Sequence, residues 1–215
     1  MTAVTAPRLS KAISFRRGLA VWAPLTAGLL IVAAFFLDPA IDADGRELAA
    51  AYAENPERIQ WSATALRIGY ALLVVPVFVL IFAVRERGSG WANLALVFAL
   101  FGMTTLPGFL LVDFYDVSIY GELGGDAWQQ VTDRMEELPA AIFMQLTGLL
   151  GFMLALPTVL LAAWRGGVLP WWPAVAMLLA GLATPAVPGG IGLLVLAVVL
   201  GSISFALNRS KISWK

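Results

Sequence analysis

Runs of about twenty apolar residues constrain this chain more than any other feature in it. A helix that crosses the ~30 Å hydrocarbon core of a bilayer needs about 20 consecutive, mostly apolar residues. The first such run is GLAVWAPLTAGLLIVAAFFL at 18–37, and others cover 61–84, 91–112 and 140–164. A last apolar stretch, 169–207, is 39 residues long and is divided by PAVPGG at 185–190. Two prolines and two glycines there read as a tight turn, which gives two further short spans, 169–185 and 189–207. The expected fold is all-α: a polytopic membrane protein with six transmembrane helices in three hairpins. Composition agrees, with 60% of residues hydrophobic and 13% charged, where soluble domains carry about 25% charged residues.

The charges are sorted along the chain, and that sorting predicts an orientation. Arg8, Lys11, Arg16 and Arg17 lie in an arm at 1–17. Arg85 and Arg87 join the second and third spans, Arg165 joins the fourth and fifth, and Arg209, Lys211 and Lys215 fill a tail at 208–215. These segments share one side and hold 10 of the 14 basic residues. Because Lys and Arg are retained on the cytoplasmic side, both termini are expected to be cytoplasmic, in a bacterial inner membrane. Thirteen of the 14 acids then fall outside or at the outer ends of spans, Glu86 being the exception.

Two outer segments, 38–60 and 113–139, carry more pattern than plain loops. DADGRELAAAYAENPERIQW reads as a short helix capped by Asp42 or Asp44, with a new helix starting at Pro56. In GGDAWQQVTDRMEELPA, Asp126 is the expected N-cap. Trp128, Val131, Met135 and Leu138, spaced 3, 4 and 3, form one apolar stripe. Both are expected as short acidic amphipathic helices on the outer face, the second docked onto the protein's own spans. The unit of outward helix, acidic outer helix, inward helix with proline and basic turn occurs twice. Duplication of a hairpin explains it, and so does the common grammar of membrane hairpins.

Absences exclude much chemistry. There are no cysteines and no histidines, and the lysines are Lys11, Lys211 and Lys215. Thiolate nucleophiles, His- or Cys-ligated zinc and haem, and Ser-His-Asp catalysis lose their essential residues. A Schiff base within the bilayer has no lysine to form it. No cofactor is expected, and the chain leans away from being an enzyme.

The candidate site begins with Arg67 in WSATALRIGYALLVV at 61–75, a charge inside an apolar span. Such a charge costs at least ~2.5–3.5 kcal/mol at the bilayer centre, so it defaults to a functional candidate. Six residues from Trp61, however, Arg67 is about 9 Å inward, and its side chain leans back toward the outer headgroups. Asp113 and Asp116 end the third span at the same level, three residues apart, and are its expected partners. They and the following acids would also suit a divalent cation, although a solvated acidic face explains them more simply. Gln145 and Thr147 on the fourth span, with Thr104 and Thr105 on the third, make the main polar band, read as helix–helix glue ahead of a cavity lining. Pro24, Pro76, Pro107, Pro157 and Pro173 are expected to interrupt five spans.

SFRRGLAVWAPL, AENPERIQWSATALRIGYALLVVPVF and RERGSGWANLAL together resemble the small multi-pass membrane proteins common in high-GC bacteria. That resemblance implies a membrane fold and brings no established activity and no site residues. The function expected is a non-enzymatic one, an accessory or assembly partner within the membrane. The alternative is a small-solute transporter or channel with a pocket around Arg67, Asp113 and Asp116. The partners expected are the lipid bilayer and, within it, another protein or a second copy of the chain. Nucleic acid is not among them.

Overall fold

The computed structural model describes residues 11–41, 43–186, 190–210 and 212, without the side chains of 106–107 and 182–186. Asp42, Arg8, Lys211, Lys215 and positions 187–189 of the proposed turn at 185–190 lie outside the described residues. Among those described, every regular element is a helix: α1 (Lys11–Leu37), α2 (Gly45–Glu54), α3 (Pro56–Ala83), α4 (Ser89–Leu123), α5 (Gly125–Glu136), α6 (Pro139–Arg165), α7 (Trp172–Ala186) and α8 (Ile191–Asn208). Five of them, α1, α3, α4, α6 and α8, are long and apolar enough to cross a membrane. α7 is apolar but has only 15 residues, about 22 Å of helix.

Two helix pairs dominate the packing, α4 on α6 and α1 on α3, and α8 lies against α1. Lipid tails are as apolar as leucine, so such pairs must be held by close packing and interhelical hydrogen bonds. Small residues permit it. A Cβ built on Gly102 of α4 would stand 1.9 Å from the Phe152 nitrogen of α6, so the two backbones touch. Gly151 faces the Gly102 nitrogen in return, at 2.6 Å from its own hypothetical Cβ. Gly28 of α1 meets Ala197 of α8, and Gly69 of α3 meets the Ala27 carbonyl of α1. Two buried hydroxyls add hydrogen bonds: Ser62 donates to the Ala34 carbonyl at 2.9 Å, and Ser204 accepts the Leu25 N–H at 3.0 Å. The second sits beside Pro24, inside α1, where the regular helical ladder is already interrupted.

The prolines divide into two kinds. Pro24, Pro76 and Pro157 lie inside α1, α3 and α6 as expected. Pro173 instead occupies the first turn of α7, where a missing N–H costs nothing, so it starts a helix and does not interrupt one.

The ends of the bundle differ. At the basic end, the turn bearing Arg85, Glu86 and Arg87 joins α3 to α4, and Arg165 closes α6. At the acidic end, α4 continues as a single helix past the expected span limit of 112 to Leu123. Its 35 residues make about 52 Å of helix, well beyond the hydrocarbon thickness. α2 and α5 pack against this overhang. A separate small core of Ala40, Tyr52 and Ile59, joined by Leu48 and Val117, consolidates the cap they form.

Candidate functional site

Continuity of α4 builds the polar cluster at the acidic end. With the helix unbroken, Asp113 and Asp116 are three residues apart on neighbouring positions of one helical face. Both are half-buried under α2, α5 and the turn that follows α1. In that turn, Asp38 Oδ1 accepts the Ala40 N–H at 2.8 Å, a side-chain-closed turn typical of aspartate. Its other oxygen accepts the Tyr52 hydroxyl at 3.5 Å. From α5, the Trp128 indole N–H donates to Asp116 Oδ1 at 2.6 Å. Asp113 lies within electrostatic range of Asp38, Asp116, Tyr52 and, on α3, Tyr70.

Burial, and after it the carboxylate charges of Asp38, Asp113 and Asp116, push the Tyr52 phenol well above its ordinary pKa. A neutral phenol is favoured there because an ionised one would be stripped of water and held beside the carboxyl groups of Asp38, Asp113 and Asp116. Tyr52 therefore keeps its proton and serves as a donor. Outside the cluster, the Arg46 guanidinium pairs with Asp126 at 3.2 Å, linking α2 to α5 at an exposed corner.

The six candidate residues lie on three helices, α3, α4 and α6. Arg67 is exposed on α3. The described interactions of Asp113 and Asp116 run to Asp38, Tyr52, Tyr70 and Trp128. Thr104 is exposed and its hydroxyl turns back to the Leu100 carbonyl of its own helix. Thr105 packs its methyl against Gly148 of α6, where a glycine Cβ would stand 2.9 Å away. Thr147 donates to Phe143 O at 2.7 Å, also within its helix, and Gln145 is exposed on α6. Among the described residues no group of three or more Asp, Glu, His or Cys is arranged to hold a metal ion.

Two details of the outer helices also differ from expectation. Asp126 is not the N-cap of α5; Gly124 takes that position at φ +82° and frees Asp126 for Arg46. Asp44 does occupy the N-cap of α2, without a side-chain capping bond. The expected stripe of α5 docks through one residue. Trp128 is 5% exposed, whereas Val131, Met135 and Leu138 are 43%, 45% and 54% exposed. Asp38 and Tyr52 were missed as members of the cluster. The available signal was an aspartate before Pro39 at the end of a span and a lone tyrosine in an alanine-rich outer helix.

No family model, curated protein or solved structure matches the chain.

Proposed function

We propose that this chain is a non-enzymatic integral membrane protein, an accessory or assembly partner whose cap of α2, α5 and the α4 overhang receives another membrane or surface protein. In this reading all six apolar segments cross a bacterial inner membrane in three hairpins, α7 and α8 being the third. Both termini are then cytoplasmic, and the cap is outside. The charge sorting supports that orientation, because arginine and lysine gather at the end opposite the cap.

One observation carries the reading. The cap is ordered by Trp128–Asp116 and Tyr52–Asp38, yet it leaves Val131 and Met135 exposed on α5, with exposed Arg134 flanking them and exposed Asp133 on the opposite face. An exposed apolar strip on a helix docked to the bundle suits a partner with a matching apolar ridge. The test is purification from native membranes in mild detergent, comparing wild type with a Val131→Lys/Met135→Lys variant. A companion that accompanies wild type in fixed proportion and is lost from the variant supports the reading. A wild-type chain that purifies alone overturns it.

The alternative, a small-solute transporter or channel around Arg67, Asp113 and Asp116, draws on the half-buried Asp113 near Tyr70. Against it stands the contact of Gly102 on Gly151, which fills the space between α4 and α6 with backbone.

A further inference from the structure

A second feature lies at the opposite end of the molecule from the cap. Between α4, α6 and α7 the lateral surface holds an open groove of about 400 Å³. Its mouth is framed by Trp91, Trp164 and Trp171, and it runs along α6 to Leu154, with Thr158 and Ala174 at its floor. Trp164 to Leu154 is ten residues of helix, about 15 Å, which is half the ~30 Å hydrocarbon core and so one leaflet deep. Tryptophans favour the headgroup level, which places the mouth at the membrane interface.

The mouth is also basic. The Arg165 guanidinium stands 5.7 Å over the Trp91 ring, a cation–π contact that holds the charge at the rim. The turn bearing Arg85 and Arg87 is pressed against the same end of α6. At Gly88, which has φ +92°, a Cβ would come within 2.6 Å of the Ala162 carbonyl, and at Gly166 within 3.0 Å of the Arg87 carbonyl. Glycine at both positions lets the turn lie on α6, so three exposed arginines and one glutamate, Glu86, share the patch.

We propose that this groove binds one acyl chain of an anionic phospholipid, from the leaflet at the basic end, with its phosphate at Arg165. The groove supplies an apolar slot of leaflet depth, and the rim supplies net positive charge where the headgroup must lie. Thr158 and Ala174 are small enough to leave the slot open, and Trp164 and Trp171 wall its upper half. This inference is independent of the partner proposed for the cap.

Native mass spectrometry of the detergent-purified full chain tests it, with dioleoyl phosphatidylglycerol and dioleoyl phosphatidylcholine as probes. Wild type is expected to retain one phosphatidylglycerol in preference to phosphatidylcholine. Arg165→Gln should weaken phosphatidylglycerol binding about fivefold, the factor for one basic residue near an anionic surface, and weaken phosphatidylcholine less, because its choline cation offsets the phosphate. Val175→Trp, which fills the groove from an exposed position, should weaken both about tenfold or more, and Val198→Trp, exposed on α8 outside the groove, should alter neither. Equal retention of the two lipids by wild type overturns the proposal. So does undiminished phosphatidylglycerol binding by Val175→Trp, or a dimer without lipid in place of the lipid-bound chain.

Discussion

At the scale of single residues, glycine does what leucine does in a soluble core. The contact of Gly102 with Phe152 and Gly151 admits no side chain, so Gly102→Ala must separate α4 from α6 or bend them. The expected loss is about 1–3 kcal/mol or more, as for overpacked cores, read as a lower melting temperature in detergent. Gly18→Ala is the matched control. A Cβ there meets nothing within 4 Å, so the substitution should be neutral or stabilise α1 by roughly 0.5–1 kcal/mol. The distinction between these glycines was not legible in the sequence. Gly18 and Gly102 both sit in apolar helical runs, and only the approach of a second helix tells them apart. Arg67 was conspicuous for the opposite reason, being a charge among apolar neighbours, but spacing alone could not tell which face of α3 it occupies. Asp38 and Tyr52 are fourteen residues apart, and their partnership depends on how the chain turns after α1 to lay α2 on α4. No local pattern encodes it.

Among the elements, α5 is attached most economically. Of its residues only Trp128 is buried, and that indole also supplies the hydrogen bond to Asp116. Trp128→Ala is therefore expected to release α5 as a unit, with a local cost of about 3–5 kcal/mol. Hydrogen exchange should show faster amide exchange through 125–136 while α1, α3 and α6 keep their protection. Uniform loss of protection across all helices would show that the cap and the bundle unfold together. Arg46→Ala should leave α5 docked, because its pair with Asp126 is exposed to water on both sides. The existence of α5 was readable from its 3-4-3 apolar spacing. Its docking was not, because a stripe says that a face is apolar and says nothing about whether the neighbour is long enough to cover it. The unbroken run of α4 was likewise hidden by LVDFYDV, where two aspartates look like the end of a membrane segment and are in fact the inward face of a helix that continues.

For the whole molecule, the absence of cysteine offers a direct test of the six-span reading. Single cysteines can be placed at Arg87, Asp133, Ile191 and Ser210 and probed in intact cells with a thiol reagent that does not cross the membrane. Asp133→Cys and Ile191→Cys should be labelled, and Arg87→Cys and Ser210→Cys should be protected until the membrane is opened. Labelling of Ser210→Cys in intact cells would place the end of α8 outside and reduce the crossings to an odd number. The all-helical fold, with five helices long and apolar enough to cross a membrane, was legible because apolar runs are properties of the chain taken in long windows. The cap was legible only in outline.

The unequal lengths of the helices have a mechanical consequence. α4 is about 52 Å long and α7 about 22 Å. If α7 crosses the membrane, as the six-span proposal has it, lipid along its flank must compress to meet so short a helix, at a cost of a fraction of a kcal/mol per Å. On that proposal the protein is drawn toward thinner membrane and toward neighbours that can shield the α7 flank.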